Sequence, residues 1–356
     1  MSWVELLVTA ASASGAALIT LAGVPVFRRW ALTRGVLDQP NDRSLHTVPT
    51  VRGAGVVMAC AVLAGMAVSA ILLGRDMRLA VIVASGGAII AAVGWWDDRL
   101  SLSPLQRLAV QTAVATGVVV GIGSPQAIGL FGTPWIPTAP AGPMLSVLWV
   151  VAVVNFYNFM DGIDGLAAGQ AAVAGLAWFV AAMLTDHAGV AAMSLTTCLG
   201  ALAFLKFNWS PATVFMGDSG SGFLGYMFAV MPLVWAQAAR HHEFPVEGAA
   251  FIGLFLFDAS LTLLQRLHRR ERVWQAHRSH HYQRLVAAGC SHAEVSLRFL
   301  LLAALAAFPA ALQASQPGWL FAVGPALVAS VCLWGWTHRA SGRGRRSDHM
   351  GTVGAP

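Results

Sequence analysis

Long apolar stretches recur along almost the whole chain, and they decide what solvent it folds in. A helix needs roughly 20 mostly apolar residues to cross the hydrocarbon of a bilayer. Eleven stretches approach that: 4–27, 54–74, 78–96, 106–123, 144–159, 163–184, 188–206, 219–238, 247–265, 296–314 and 318–336. The fifth is short and turns polar at its end, so ten spans are the alternative. Only 11% of the 356 residues are charged, against about 25% in soluble domains. In lipid every backbone polar group must be paired, and a helix pairs its own. The expected fold is therefore all-α: a polytopic transmembrane helical bundle, one membrane-embedded domain over 1–336. From Thr337 the chain is rich in Gly, Ser and Arg, a composition that reads as a basic, disordered tail over 337–356.

Charge sets the expected orientation. Glu5 precedes the first apolar run, which lacks a basic leader and exceeds a signal-peptide core, so the run reads as a retained span. Arg28 and Arg29 follow it, which favours an N-terminus outside the cytoplasm. With eleven spans, the odd-numbered connections and the tail carry nineteen Lys and Arg, and the even connections carry only Arg75, Arg78 and Arg240. That split places the odd connections and the C-terminus in the cytoplasm. It also accounts for most of the net charge of +6, leaving attraction to anionic membrane lipids and no call for nucleic acid. Cys60, Cys198, Cys290 and Cys332 are scattered without metal or disulfide spacing.

Four polar clusters, together with the first connection, fall in or beside the odd connections. Asp97-Asp98 ends the third stretch. A solvated helix end would explain one carboxylate, but two at the negative end of a helix dipole require cationic company: a metal, a substrate or Arg99. Asn155, Asn158, Asp161 and Asp164 recur at a spacing of three, which aligns them on one helical face if the helix continues. Such oxygen donors suit a hard cation and phosphate chemistry; a polar hairpin capping the next helix would explain one Asp and one Gly, not four residues in register. Phe215-Met216-Gly217-Asp218-Ser219-Gly220-Ser221-Gly222 opens the eighth stretch. There Asp218 is either a helix cap or part of a phosphate-binding start. His277-Arg278-Ser279-His280-His281-Tyr282-Gln283-Arg284 has the donors for a nucleotide or sugar diphosphate, unless it is only a positive-inside loop that includes histidines. The first connection adds Asp38, Arg43, His46 and Arg52.

An ion-coupled transporter is the competing class, and Asp258 is its best support, since a carboxylate inside an apolar run is functional by default. A transporter needs ionisable groups reaching both faces. Here the polar clusters keep to one, and no broken-helix pair recurs in two halves.

In order and spacing these residues resemble the polyprenyl-phosphate N-acetylhexosamine-1-phosphate transferases, glycosyltransferase family 4, from about Asp38 to Arg284. Asp97-Asp98 matches the family's aspartate pair. Asn155 to Leu166 matches Asn-x-x-Asn-x-x-Asp-Gly-x-Asp-Gly-Leu without a gap, and Phe215 to Gly220 matches Phe-Met-Gly-Asp-x-Gly. Asp38 to Gly55 looks like the family's first cytoplasmic loop, with Ala54 in place of a usual glycine. The resemblance implies that undecaprenyl (polyprenyl) phosphate attacks the β-phosphorus of a UDP-sugar and releases UMP at the cytoplasmic face of a bacterial inner membrane. It implies a Mg2+ cofactor, with Mn2+ as the alternative, held by Asp218 and Asn158. It assigns catalysis to Asp97, Asp98, Asp161 and Asp164, and substrate binding to Arg43, His46, Arg52, Asn155, His277, Arg278, His280 and His281. A homodimer stays open. The histidine run departs from the consecutive histidines of the peptidoglycan branch. It is more similar to transferases that start O-antigen chains on 6-deoxy-aminosugars, with N-acetylglucosamine as the alternative. A muramoyl-pentapeptide substrate is not expected.

Overall fold

The computed structural model describes residues 1–40, 48–74, 77–130, 133–135, 141–238, 243–272, 277–314 and 319–351. The chain begins with α1 (Trp3–Arg34), then a short antiparallel pair, β1 (Leu37–Asp38) and β2 (Thr50–Val51). Next come α2 (Gly55–Leu72), α3 (Met77–Leu100) and α4 (Pro104–Ile122). After β3 (Ala127–Leu130) and β4 (Thr133–Trp135) follow α5 (Ala141–Phe159), α6 (Leu166–Leu184), α7 (Ala188–Asn208) and α8 (Asp218–Ala238). The chain ends with β5 (Glu243–Phe244), α9 (Val246–Phe251), α10 (Gly253–His268), α11 (His281–Ala287), α12 (His292–Leu312) and α13 (Trp319–Gly351).

Among the described residues nine helices are long and apolar enough to cross a membrane, α1 to α8 and α12. The molecule is a multi-span helical bundle. Nine of the eleven expected stretches coincide with these helices. The stretch 247–265 does not form one span. It breaks at Ile252, whose ψ of 18° leaves the helical range, into α9 and a 16-residue α10. Gly248 lets α9 pack closely on α6, where a side chain would strike the Trp178 ring. From Trp319 on, the expected last stretch belongs to α13, which is not among the nine and whose backbone stays helical past Thr337.

At the centre stands α8, buried along its length and packed against α2, α3, α5 and α7. Small residues let the helices close on it, as in other membrane bundles. A Cβ on Gly55 of α2 would lie 2.5 Å from the Gly220 Cα, and one on Gly94 of α3 would collide with the Asp218 carbonyl. These two glycines seat the start of α8 against the start of α2 and the end of α3. Phe215 N–H donates to Val51 O at 2.7 Å and Gly55 N–H to Met216 O at 2.9 Å, which fixes the loop before α8 to β2. The ends of α3, α5 and α7 and the starts of α4, α6, α8 and α12 thus gather at one end of the bundle. At the other end the N-terminal ammonium pairs with Asp186, and β3 bridges β4 and β5.

Candidate active site

Two arginines and four aspartates meet at the gathered end. Arg52 donates through Nε to Asp98 Oδ1 at 2.8 Å and through Nη2 to Asp218 Oδ1 at 3.1 Å. Arg107 donates through Nη1 to Asp97 Oδ2 at 2.7 Å and to Asp218 Oδ2 at 3.2 Å. Asp218 is therefore clamped between two guanidiniums, each of which also holds one member of the Asp97-Asp98 pair. Asp98 does a second job. Its oxygens accept the backbone N–H groups of Asp218 at 3.0 Å and Ser219 at 3.3 Å, so it satisfies the N-terminus of α8. Asp218 is the first residue of that helix and its carboxylate is left to face the site. Burial works against the charge on Arg52, but the Asp98, Asp218 and Asp38 carboxylates outweigh it and raise its pKa. The expected company of the aspartate pair is thus Arg52 and Arg107. Arg99 turns away and stacks on Trp95, 3.9 Å from the ring centroid.

The asparagine–aspartate segment does not stay in register. Helix α5 ends at Phe159, and Gly165, at φ +75°, takes a conformation that needs glycine. Asn155 bonds Gln111 Oε1 at 2.6 Å. Asn158 donates to Asp218 Oδ2 at 3.2 Å while its Oδ1 accepts from the Ser221 hydroxyl at 2.6 Å. Asp161 sits in the turn, with no hydrogen-bond partner for its carboxylate among the described residues. Burial first, then the Asp218 and Asp98 carboxylates, push its pKa up to about 7. Asp164 belongs to a different contact. Its Oδ2 accepts from Ala212 N–H at 3.1 Å and its Oδ1 lies 3.5 Å from His292 Nδ1. Burial alone would raise the Asp164 pKa, but His292 and Ala212 prevail and hold it below the usual range. One face of four residues was expected; Asn155 and Asn158 stay on α5, where they reach Gln111 and Asp218, and beyond the helix end Asp161 faces the cluster while Asp164 goes to Ala212 and His292.

The histidine loop lies beside this cluster. Tyr282, 1% exposed, donates its hydroxyl to Phe159 O at 3.0 Å, tying α11 to the end of α5. His280 and His281 are buried. Their Nδ1 atoms lie 3.0 Å from Asp258 Oδ1 and 3.0 Å from Thr337 Oγ1, respectively. His277 and Arg278 are the more open members. Burial, then neighbouring His280 and Arg266, lower the His277 pKa to about 4, so at neutral pH it offers a hydrogen bond without charge. Arg43 and His46 lie outside the described residues.

Two hollows adjoin the cluster. A polar cavity of about 290 Å3 is lined by Asp38, Arg52, Asp98 and Arg99 with the turn before β1. An apolar groove of about 580 Å3 runs between α3 and α4, lined by Ile82, Gly86, Ile89, Val110, Ala113 and Gly117 among others. Its upper end is within one helical turn of Arg107.

Residues 79–236 match the family described as glycosyl transferase family 4. The chain is 30% identical over 321 residues to a probable undecaprenyl-phosphate N-acetylglucosaminyl 1-phosphate transferase of Bacillus subtilis, covering 89% of this chain and 84% of that protein. The chain belongs to glycosyl transferase family 4. It is 32% identical over 326 residues to the decaprenyl-phosphate N-acetylglucosaminephosphotransferase of Mycobacterium tuberculosis (strain ATCC 25618 / H37Rv), covering 83% of this chain and 80% of that protein. A Haemophilus influenzae undecaprenyl-phosphate alpha-N-acetylglucosaminyl 1-phosphate transferase is 27% identical over 301 residues, 82% of each chain. As a family 4 member the chain is a membrane enzyme of the phosphoglycosyltransferase type, moving a sugar 1-phosphate to a polyprenyl phosphate. The cluster also includes residues that sequence reasoning left without a place in a site. Arg107 counted only as topological charge, although the Ser103–Gln106 capping box places it on the first turns of α4, facing the end of α3. Ser221, one turn into α8, stood only as part of the Gly- and Ser-rich start of the eighth stretch, while its hydroxyl donates to Asn158 Oδ1.

Proposed function

We propose that this enzyme transfers an N-acetylhexosamine 1-phosphate, or its 6-deoxy counterpart, from a UDP-sugar to undecaprenyl phosphate, starting an O-antigen or another cell-envelope glycan. The observation that carries this reading is the site's charge pattern: four carboxylates with two guanidiniums interleaved among them at one end of a membrane bundle. Two guanidiniums offer diphosphate oxygens the paired donors they need. The relatives' names favour N-acetylglucosamine, and the 277–283 loop favours a 6-deoxy-aminosugar. We place the site at the cytoplasmic face of a bacterial inner membrane.

The donor set fits a divalent cation. Asp97, Asp98, Asp161 and Asp218 outnumber Arg52 and Arg107; burial first, and then the Asp218 and Asp98 carboxylates, raise the Asp161 pKa. Among the described residues no three His, Cys, Asp or Glu side chains stand ready around one metal position, because the arginines sit between the carboxylates. Asp218 and Asn158 would hold Mg2+ or Mn2+; the Ser221 hydroxyl can donate or accept, so the Asn158 amide can turn its oxygen toward Asp218. Such a cation, when bound, neutralises the diphosphate. Arg52 and Arg107 orient phosphate oxygens. The acceptor's phosphate oxygen bonds to the β-phosphorus as the bond to the α–β bridging oxygen breaks, and UMP leaves with that oxygen. Asp161, whose carboxylate has no hydrogen-bond partner among the described residues, is poised to take the acceptor's last proton. The groove between α3 and α4 takes the acceptor's apolar tail.

The test is purified protein with undecaprenyl phosphate, Mg2+ and a panel of UDP-sugars, scored by released UMP. UMP is expected with an N-acetylhexosamine donor, with loss on chelation and in Asp218→Asn. Release from no donor overturns the reading, and near-normal turnover by Asp218→Asn at saturating Mg2+ removes the metal assignment.

A further inference from the structure

Asp258 is a carboxylate with 0% exposure, in α10, and the proposed chemistry leaves it without a task. Burying such a group is costly unless its oxygens are well satisfied. Here one oxygen takes everything. Asp258 Oδ1 faces His280 Nδ1 at 3.0 Å, and it accepts the His281 backbone N–H at 3.0 Å and the Thr262 hydroxyl at 3.2 Å. Oδ2 is buried with no partner among the described residues. Two of these three bonds reach across from α10 to consecutive residues of the histidine loop, at the point where α11 begins.

Resting on the proposed function, we propose that Asp258 is the positioning residue of the 277–283 loop: it holds His280 and the start of α11 inside the protein so that His277 and Arg278 are the residues presented to the sugar nucleotide. The Asp258 carboxylate only accepts, so His280 donates through Nδ1–H, and its tautomer is set. His281 is held in the same way. The Thr337 hydroxyl donates to Leu333 O at 2.9 Å, so it accepts from His281 Nδ1–H at 3.0 Å. His280 then stacks on Tyr282, ring centroids 5.7 Å apart at 14°, and Tyr282 is bonded to the end of α5. The path runs from Asp258 through His280 and Tyr282 to the turn that carries Asp161. His280 and His281 are 3% and 2% exposed, too enclosed to read a sugar. His277 packs on His280, centroids 4.9 Å apart, and takes its place from that ring.

Two measurements test this. The first needs no activity: amide hydrogen exchange across 279–287. In Asp258→Ala, where the His281 N–H and His280 Nδ1–H lose their acceptor, exchange should rise about tenfold or more. In Asp258→Asn, which keeps an oxygen, the rise should be smaller. The second is kinetic. Asp258→Ala should raise KM for the UDP-sugar about tenfold and leave KM for undecaprenyl phosphate unchanged. Combined with His280→Ala it should lose little more, because both act through one contact. Unchanged exchange in Asp258→Ala, an equal rise in both KM values, or fully additive losses in the double variant overturns the proposal. If Asp258→Ala does not insert, Asp258→Asn carries both measurements and must show the intermediate effect or the proposal fails. A wild-type protein that releases no UMP from any donor refutes the functional reading instead, while exchange still decides the role of Asp258.

Discussion

Gly162→Ala should couple the Asp-Gly turn to the histidine loop in a measurable way. A methyl at 162 would collide with the Tyr282 hydroxyl and lie 2.8 Å from the ring carbon that carries it. Tyr282 cannot step aside cheaply. It is 1% exposed, and its hydroxyl is bonded to Phe159 O. Forcing a methyl into a packed contact costs about 1–3 kcal/mol, and losing the Tyr282 bond adds about 1 kcal/mol. The expected destabilisation is about 2–4 kcal/mol from those two sources. Thermal or denaturant unfolding of the detergent-solubilised protein reads it. Displacing Tyr282 also moves α11, so KM for the UDP-sugar should rise in the same variant. Tyr282→Phe removes the colliding oxygen, so Gly162→Ala/Tyr282→Phe should unfold later than Gly162→Ala alone. A Gly162→Ala protein as stable as wild type, or a double variant no better than the single, would refute the argument that this glycine exists to admit Tyr282.

Asp161 predicts a pH dependence. Its pKa is raised from 3.8 to about 7, so the carboxyl is neutral below that pH and ionised above it, and turnover should climb through about pH 7; Asp161→Asn should flatten the limb, and a limb that persists unchanged in that variant removes Asp161 from proton transfer. The native state keeps this proton between about pH 4 and 7, where the unfolded chain has lost it, so this group's contribution to stability falls across that window as pH rises. Ala113→Trp, which fills the groove between α3 and α4, should raise KM for undecaprenyl phosphate several-fold with KM for the UDP-sugar unchanged; an unchanged lipid KM would place the acceptor's tail elsewhere.

Much of the bundle was legible because apolar length is a local property: each of α1 to α8 and α12 declares itself without reference to its neighbours. The break at Ile252 did not, since hydropathy is blind to a single ψ angle. Within the site, the acidic residues stood out as carboxylates in apolar surroundings. Their cationic partners were hidden, because Arg107 is 111 residues from Asp218 and only the packing of α3, α4 and α8 joins them. The spacing-of-three argument for Asn155 to Asp164 assumed an unbroken helix, while α5 ends at Phe159 and the turn through Gly165, at φ +75°, ends the register. His280 and His281 were grouped with His277 and Arg278 as one substrate-binding run, yet the beginning of α11 turns the first pair inward.

Asp258 was the strongest argument for ion-coupled transport, and its contacts remove that support. A carboxylate that carries a proton across a membrane must meet water or a relay on each side in turn. Asp258 meets neither among the described residues: its bonded oxygen is taken by His280, His281 and Thr262. Those partners lie at the end of the bundle that holds Asp97, Asp98 and Asp218, so the acid extends a one-sided cluster instead of opening a path from it. At the opposite end the structure places the pairing of the N-terminus with Asp186 and a small sheet. A transporter's charges alternate in access; these are fixed to one another by a chain of contacts from α10 through α11 to the end of α5. Such rigidity suits a reaction in which both phosphates arrive from the same side and neither has to be carried through.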